Sequence, residues 1–408
     1  MTISPGTTTS LRVPARVLVV GDAAGDRDTL CRHVQKEGHF AYAAGPGGEA
    51  LERLRAERFD LVLLDVQMPG MDGPGFLEAL RHDAELAQVP VIVVSADMDV
   101  IAQCLESGAH DWLPGGFGPA MLRARLGAAL DRRRVRDARS LRREMDVARN
   151  IQRDFLPESL PVAMGVQLEA ALHPARQVSG DFYDAFVLAP SGTIVLVVGD
   201  VCDKGVGAAL FMALFRSLIR ASADPVGGGA IQMIGGRRTL VRQSLEAATP
   251  ADLLTRVAGF TNDYIARLHG RTNMFATVFL AALTPNTGQF DYVNAGHEPA
   301  LVIAPDGAIR ELRPTGPALG LLPDQGFGAG EGRLERGHCL FAFTDGLVEA
   351  RNPAGEAFGG ARLQAALRAN DTSAPTLVRS VIETLHAFTG PAEPHDDVTL
   401  LAATRTIG

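Results

Sequence analysis

The sequence predicts two domains of different class, an α/β doubly wound parallel sheet and a mixed α+β domain, joined by a long helix. Three observations carry that expectation. Short apolar runs alternate with amphipathic stretches from residue 16 to about 130. A breaker-free stretch rich in Arg, Glu, Ala and Leu runs over 119–155, and beyond 160 strands and glycine-rich turns dominate. Strand–helix alternation favours a parallel sheet covered on both faces, whereas strands in succession belong to α+β folds.

Residues 16–20, 59–64 and 89–94 are the strand-like runs of the first part. Ligands of such sheets sit at the carboxyl ends of the strands, where the sequence puts Asp22, Asp65 and Ser95. The helical stretch ends before Leu156-Pro157. Along it Arg134, Ala138, Leu141, Met145, Ala148, Gln152 and Phe155 follow a 4-3 spacing that suits a coiled-coil homodimer. Two polar seam positions leave a solvated linker helix as the alternative. Farther on, helical patterns cover 208–221 and 250–268, and the glycine-rich stretch 224–238 reads as a mobile loop.

Composition narrows the function classes. The chain has 408 residues, 46% hydrophobic and 21% charged, enough for two or three globular domains. A net charge of −8 argues against nucleic acid as a main partner. Cys31, Cys104, Cys202 and Cys339 show no metal-ligand spacing and read as small apolar residues. No uninterrupted apolar run reaches membrane-spanning length, so a cytoplasmic protein without a membrane partner is expected.

Four acidic motifs carry the chemistry: Ser179-Gly180-Asp181-Phe182-Tyr183-Asp184, Gly199-Asp200-Val201, Thr344-Asp345-Gly346 and Asp396-Asp397-Val398-Thr399. Apolar runs at 193–198 and 339–343 lead into Asp200 and Asp345, and another, 398–402, follows Asp397. Any one motif could mark a turn. Together, without His or Cys, they form a set of oxygen donors suited to Mg²⁺ or Mn²⁺.

The run Asp60-Leu61-Val62-Leu63-Leu64-Asp65-Val66-Gln67-Met68-Pro69-Gly70-Met71-Asp72-Gly73 resembles the phosphoacceptor segment of two-component receiver domains. That resemblance implies a flavodoxin-like domain over 14–130, with Asp65 as phosphoacceptor and a sensor histidine kinase as its source of phosphate. Asp22, Asp65 and the backbone carbonyl of Gln67 would hold Mg²⁺. Ser95 would contact the phosphoryl group, and Trp112 would take the place of the switch aromatic. Gly21 stands where receivers carry a further acid, and Gly115-Gly116 where they carry Lys-Pro. Neither Lys36 nor Lys204 replaces that lysine. A receiver fold kept for docking or dimerisation is the alternative.

The four motifs stand in order with Ala148-Arg149-Asn150-Ile151-Gln152, Asn294-Ala295-Gly296-His297-Glu298-Pro299 and Gly316-Pro317-Ala318-Leu319-Gly320. The ordered set resembles the SpoIIE-type branch of the metal-dependent (type 2C) protein phosphatases. It implies a domain over 158–408 after a helical linker at 131–157, with two antiparallel sheets flanked by helices. Two Mn²⁺ or Mg²⁺ ions are implied, with Asp200 and Asp181 as catalytic ligands and Val201 (carbonyl), Asp345 and Asp396 or Asp397 completing the set. The implied reaction is hydrolysis of a phosphoserine or phosphothreonine protein, the substrate being a phosphorylated anti-sigma-factor antagonist of the STAS type. His297 is read as holding its turn rather than as a general acid, Asp184 and Asp203 as supporting residues, and Lys204 as solvated. A non-catalytic adaptor that binds a sigma-factor regulator is the alternative.

Overall fold

The computed structural model describes residues 13–45, 47–66, 68, 71–223, 229–234, 237–242 and 249–406. Two compact units divide the chain between Arg143 and Glu144. The first contains β1 (Arg16–Val20), α1 (Ala24–Lys36), β2 (Phe40–Ala44), α2 (Gly47–Ala56), β3 (Leu61–Asp65) and α3 (Gly73–His82). β4 (Val91–Ser95), α4 (Met98–Glu106) and β5 (Asp111–Pro114) follow, and α5 (Pro119–Phe155) crosses the boundary.

The five strands form one sheet in the order β2-β1-β3-β4-β5, all parallel. Their near-continuous apolar runs reflect burial on both faces. One face packs Leu51, Leu54, Phe76 and Leu80 of α2 and α3. The other packs Leu30 and Val34 of α1 with Leu122, Leu126 and Leu130 of α5. The expected doubly wound fold is present.

The second unit continues with β6 (Val166–His173), β7 (Asp181–Leu188), β8 (Thr193–Val201), α6 (Val206–Ala223), β9 (Gly229–Ile234), β10 (Arg237–Arg242) and α7 (Pro250–Leu268). Then come β11 (Ala276–Leu283), β12 (Gln289–Ala295), β13 (Ala300–Ile303), β14 (Ile309–Leu312), β15 (Gly330–Arg333) and β16 (Cys339–Phe343). α8 (Gly346–Glu349), α9 (Gly359–Arg368), α10 (Ala374–Thr389) and β17 (Val398–Arg405) complete it. Two antiparallel five-stranded sheets result, β15-β12-β11-β8-β7 and β14-β13-β16-β17-β6.

The sheets face each other through Ile194, Leu196, Phe279 and Phe290 on one side and Val302, Leu340 and Leu401 on the other. Burying each such side chain contributes about 1.5–3 kcal/mol. α6 and α7 cover the outer face of the first sheet with Met212, Phe215, Leu254 and Val257. α9 and α10 cover the second with Leu363, Leu377 and Val381. α6 is the one described helix long and apolar enough to cross a membrane by length and composition. Here its apolar side lies on the sheet.

Three expectations change. The stretch 224–238 is not all loop: β9 and β10 pair as an antiparallel hairpin, with Gly229 opposite Arg242 and Ile234 opposite Arg237, while 224–228 lie outside the described residues. α9 and α10 join the two helices expected. Gln152, counted in the coiled-coil seam, turns into its own unit and is 9% exposed, whereas Leu141 is 57% exposed.

Candidate active site

Antiparallel pairing brings the acidic motifs to one edge of the second unit. β7 begins where β8 ends, so Asp181 and Asp200 are cross-strand partners. β16 ends where β17 begins, which places Asp345 beside Asp396 and Asp397. The Thr344 N–H donates to the Thr399 carbonyl at 3.0 Å. The Thr399 N–H in turn donates to Thr344 Oγ1 at 2.9 Å. Both hydroxyls cross to the other sheet and donate to Asp181 Oδ2 at 2.7 Å each. These two hydrogen bonds tie the sheet edges together at the site.

The carboxylates strain against one another. Burial first, then the charge of Asp200, raises the pKa of Asp181 well above the usual carboxylate range, against the two threonine hydroxyls. Asp200 is raised by burial, then by Asp345, Asp396 and Asp397. Asp345 is raised by burial, Glu349 and Asp396, and lowered by Lys204. Buried like charges of this kind favour a bound cation. Lys204 supplies part of that positive charge: its Nζ pairs with Asp396 Oδ2 at 2.8 Å and donates to the His395 carbonyl at 2.8 Å. It is therefore a paired lysine, not the solvated one expected.

The neighbours Asp396 and Asp397 have different surroundings. Asp397 accepts from the N–H of Ala175 at 2.7 Å, from Ser179 Oγ at 2.8 Å and from the N–H of Gly180 at 2.9 Å. Its oxygens are spent on holding backbone. Asp396 faces Lys204 and accepts from the Asp397 N–H at 2.9 Å.

Glycine at two positions permits this crowding. A Cβ on Gly346 would stand 1.9 Å from the Asp397 carbonyl oxygen, and one on Gly180 would stand 2.9 Å from that of Val201. Asp203 adopts φ 71° in the turn after β8, a conformation Asp tolerates better than most residues.

All donors here are oxygens, so the chemistry fits hard divalent cations. Among the described residues no three His, Cys, Asp or Glu side chains stand in ligand arrangement; threonine hydroxyls engage Asp181 Oδ2 and Lys204 engages Asp396 Oδ2.

Other expected residues lie elsewhere. Asp184 is 1% exposed as a side chain and pairs with Arg216 at 3.0 Å and Arg220 at 3.6 Å, a buried structural pair. His297 is 3% exposed and shares a 2.9 Å hydrogen bond between its Nδ1 and Thr277 Oγ1. Burial pushes its pKa down to about 4, which makes it a neutral structural residue. Between pH 6.5 and about 4 the unfolded chain takes up a proton here that the folded chain refuses, so stability falls as pH falls. His297→Gln is expected to remove about 2–3 kcal/mol of that acid sensitivity, read by urea unfolding at neutral and mildly acidic pH.

In the first unit Asp65 ends β3 and Ser95 ends β4, with Asp22 just after β1, all at the carboxyl edge. Ser95 Oγ accepts from the Asp97 N–H at 3.0 Å. Gln67 lies outside the described residues. A Cβ on Gly21 would stand 3.1 Å from Asp65 Cβ and 3.5 Å from Arg27 Cγ. Arg27 Nη1 donates to the carbonyls of Gly21 and Asp22 at 2.6 Å each. A search for lysine alone misses this cation. The sequence reading also gave no role to Glu349, whose charge raises Asp345, or to Glu298, which burial and then Asp345 raise.

The chain matches the family "Stage II sporulation protein E (SpoIIE)" over residues 190–406 and "Response regulator receiver domain" over 17–127. Protein IcfG of Synechocystis sp. is 38% identical over 275 residues, 65% of this chain and 42% of that protein. Phosphoserine phosphatase RsbU of Bacillus subtilis is 26% identical over 269 residues, 65% of this chain and 71% of that protein. The chain thus matches less than half the length of IcfG. Among solved structures, the SiaA-PP2C domain of Pseudomonas aeruginosa shares the fold, with a TM-score of 0.52 at 21% identity over 65% of this chain and 97% of that one. The SpoIIE match spans more than half of the chain, which therefore belongs to the SpoIIE family, with a response regulator receiver domain preceding its type 2C-like domain.

Proposed function

We propose that the chain is a metal-dependent phosphatase of phosphoserine or phosphothreonine proteins, with an anti-sigma-factor antagonist as substrate and the receiver as regulatory input. The observation that carries the reading is the convergence of Asp181, Asp200, Asp345 and Asp396 at one edge, each partner raising the next one's pKa or holding its cation. The name of RsbU, a phosphoserine phosphatase, supports the substrate class. Asp200, Asp345, Asp396 and the Val201 carbonyl would hold the cations, and Asp181 is held by Thr344 and Thr399. Asp396 rather than Asp397 is the ligand, because Asp397 is committed to three hydrogen bonds. Divalent cations supply, when bound, a water acidic enough to react at neutral pH and positive charge against the phosphoryl oxygens. Lys204, paired with Asp396, keeps a positive charge at the acidic edge.

A cavity of about 350 Å³ opens beside Asp396, lined by Arg149, Arg351, His173, His386, His395 and Glu393 among others. Its cationic side suits acidic residues flanking the phosphorylated side chain. Arg149→Ala is expected to raise KM for a phosphoprotein about five- to tenfold, or ~1 kcal/mol, and to leave turnover of a small aryl phosphate unchanged. The reading as a whole is tested by comparing phosphate release from phosphoserine, phosphothreonine and phosphotyrosine proteins. Release from phosphotyrosine alone, or none but tight binding of a sigma-factor regulator, would favour another activity or the adaptor.

For the receiver, Asp65 is the proposed phosphoacceptor, with Mg²⁺ held by Asp22, Asp65 and the Gln67 carbonyl and Arg27 replacing the missing lysine. Labelling by acetyl phosphate should occur in the wild type and vanish in Asp65→Asn. An unlabelled wild type would leave the docking role.

A further inference from the structure

We propose that Gln152, on the last turn of α5, is a positioning residue that sets the cation affinity of the acidic edge; the proposal rests on the phosphatase reading above. Its buried amide grips one residue at two points. Nε2 donates to the Ser179 carbonyl at 2.6 Å, and Oε1 accepts from the Ser179 N–H at 2.9 Å. Ser179 lies just before β7, beyond the strand ladder, so Gln152 does for its peptide groups what a neighbouring strand would otherwise do.

Everything after Ser179 leads into the site. Its hydroxyl donates to Asp397 Oδ2 at 2.8 Å and accepts from the Asp181 N–H at 3.0 Å. The Gly180 N–H donates to the same Asp397 oxygen at 2.9 Å, and the Gly180 carbonyl accepts from the Val201 N–H at 3.3 Å. Three consecutive residues thus touch Asp397, the Val201 backbone and, through the β7–β8 pairing, Asp200. Moving Ser179 moves the acids together.

Removing the amide leaves two buried peptide groups without partners. The segment relaxes, and Asp181 no longer faces Asp200 in the geometry a shared cation needs. Groups that orient ligands without binding the metal commonly change affinity by about 10–100-fold.

The test uses the full chain with Gln152→Met, which fills the same space without hydrogen bonds, and Gln152→Ala. Free Mn²⁺ is read by electron paramagnetic resonance during titration, and folding is checked by circular dichroism and melting. Both variants are expected to bind Mn²⁺ about tenfold more weakly than wild type, with native circular dichroism and a melting temperature lowered by the two unpartnered peptide groups. A methionine variant that binds like wild type would show a packing role only and overturn the clamp, leaving the phosphatase reading intact. No Mn²⁺ uptake by the wild type would overturn both.

Discussion

Asp200→Asn is expected to lower kcat/KM for a phosphoserine protein by about a thousandfold or more, ~4 kcal/mol of transition-state stabilisation. Asparagine keeps the shape but withdraws the charge shared between β7 and the rest of the edge. The cation-free variant should melt no lower than wild type. Asp200 is half-buried and is raised by Asp345, Asp396 and Asp397, so losing one of several repelling carboxylates relieves the fold. Activity and stability therefore move in opposite directions, a separation that distinguishes a site residue from a core residue. A parallel fall in melting temperature and activity would instead assign Asp200 to structure.

Asp397→Ala is the second large effect, and it has the reverse signature. Three donors, the N–H groups of Ala175 and Gly180 and the Ser179 hydroxyl, would lose their acceptor at a position only 8% exposed. Stranding them should cost about 3–5 kcal/mol in unfolding free energy, with activity lost through the disordered edge. Asp396→Asn, one residue away, should leave stability within about 1 kcal/mol while reducing Mn²⁺ affinity and turnover. Denaturant unfolding of the two variants side by side decides between them. Equal destabilisation would mean the neighbours share one role.

That contrast also marks where sequence reasoning stops. Asp200, Asp345 and the Asp396-Asp397 pair were legible because each follows or precedes an apolar run, and strand ends are where such folds hold ligands. Which of Asp396 and Asp397 binds was not legible, since the answer lies in donors 217 to 222 residues away. The same holds for Thr344 and Thr399, whose hydroxyls find Asp181 only after two sheets have packed. Gln152 fitted a heptad seam on spacing alone, because periodicity cannot tell a partner helix from the helix's own domain. The hairpin of β9 and β10 was hidden by the glycines preceding it, and α10 by the Pro375 at its start, although Leu377, Val381 and Leu385 already follow a helical period. In the receiver, the missing lysine was visible and the nearby Arg27 was not, because its guanidinium comes back over the turn to carbonyls five and six residues earlier.

The proposed activity depends above all on the acidic edge acting as a cation-dependent hydrolytic site. The direct measurement is inorganic phosphate released from a phosphoserine protein as Mn²⁺ is titrated into the chelator-treated full chain. Saturable, Mn²⁺-dependent release by the wild type, absent from Asp200→Asn and reversed by chelation, is the predicted result. Release that persists without a divalent cation, or that Asp200→Asn retains, would contradict it.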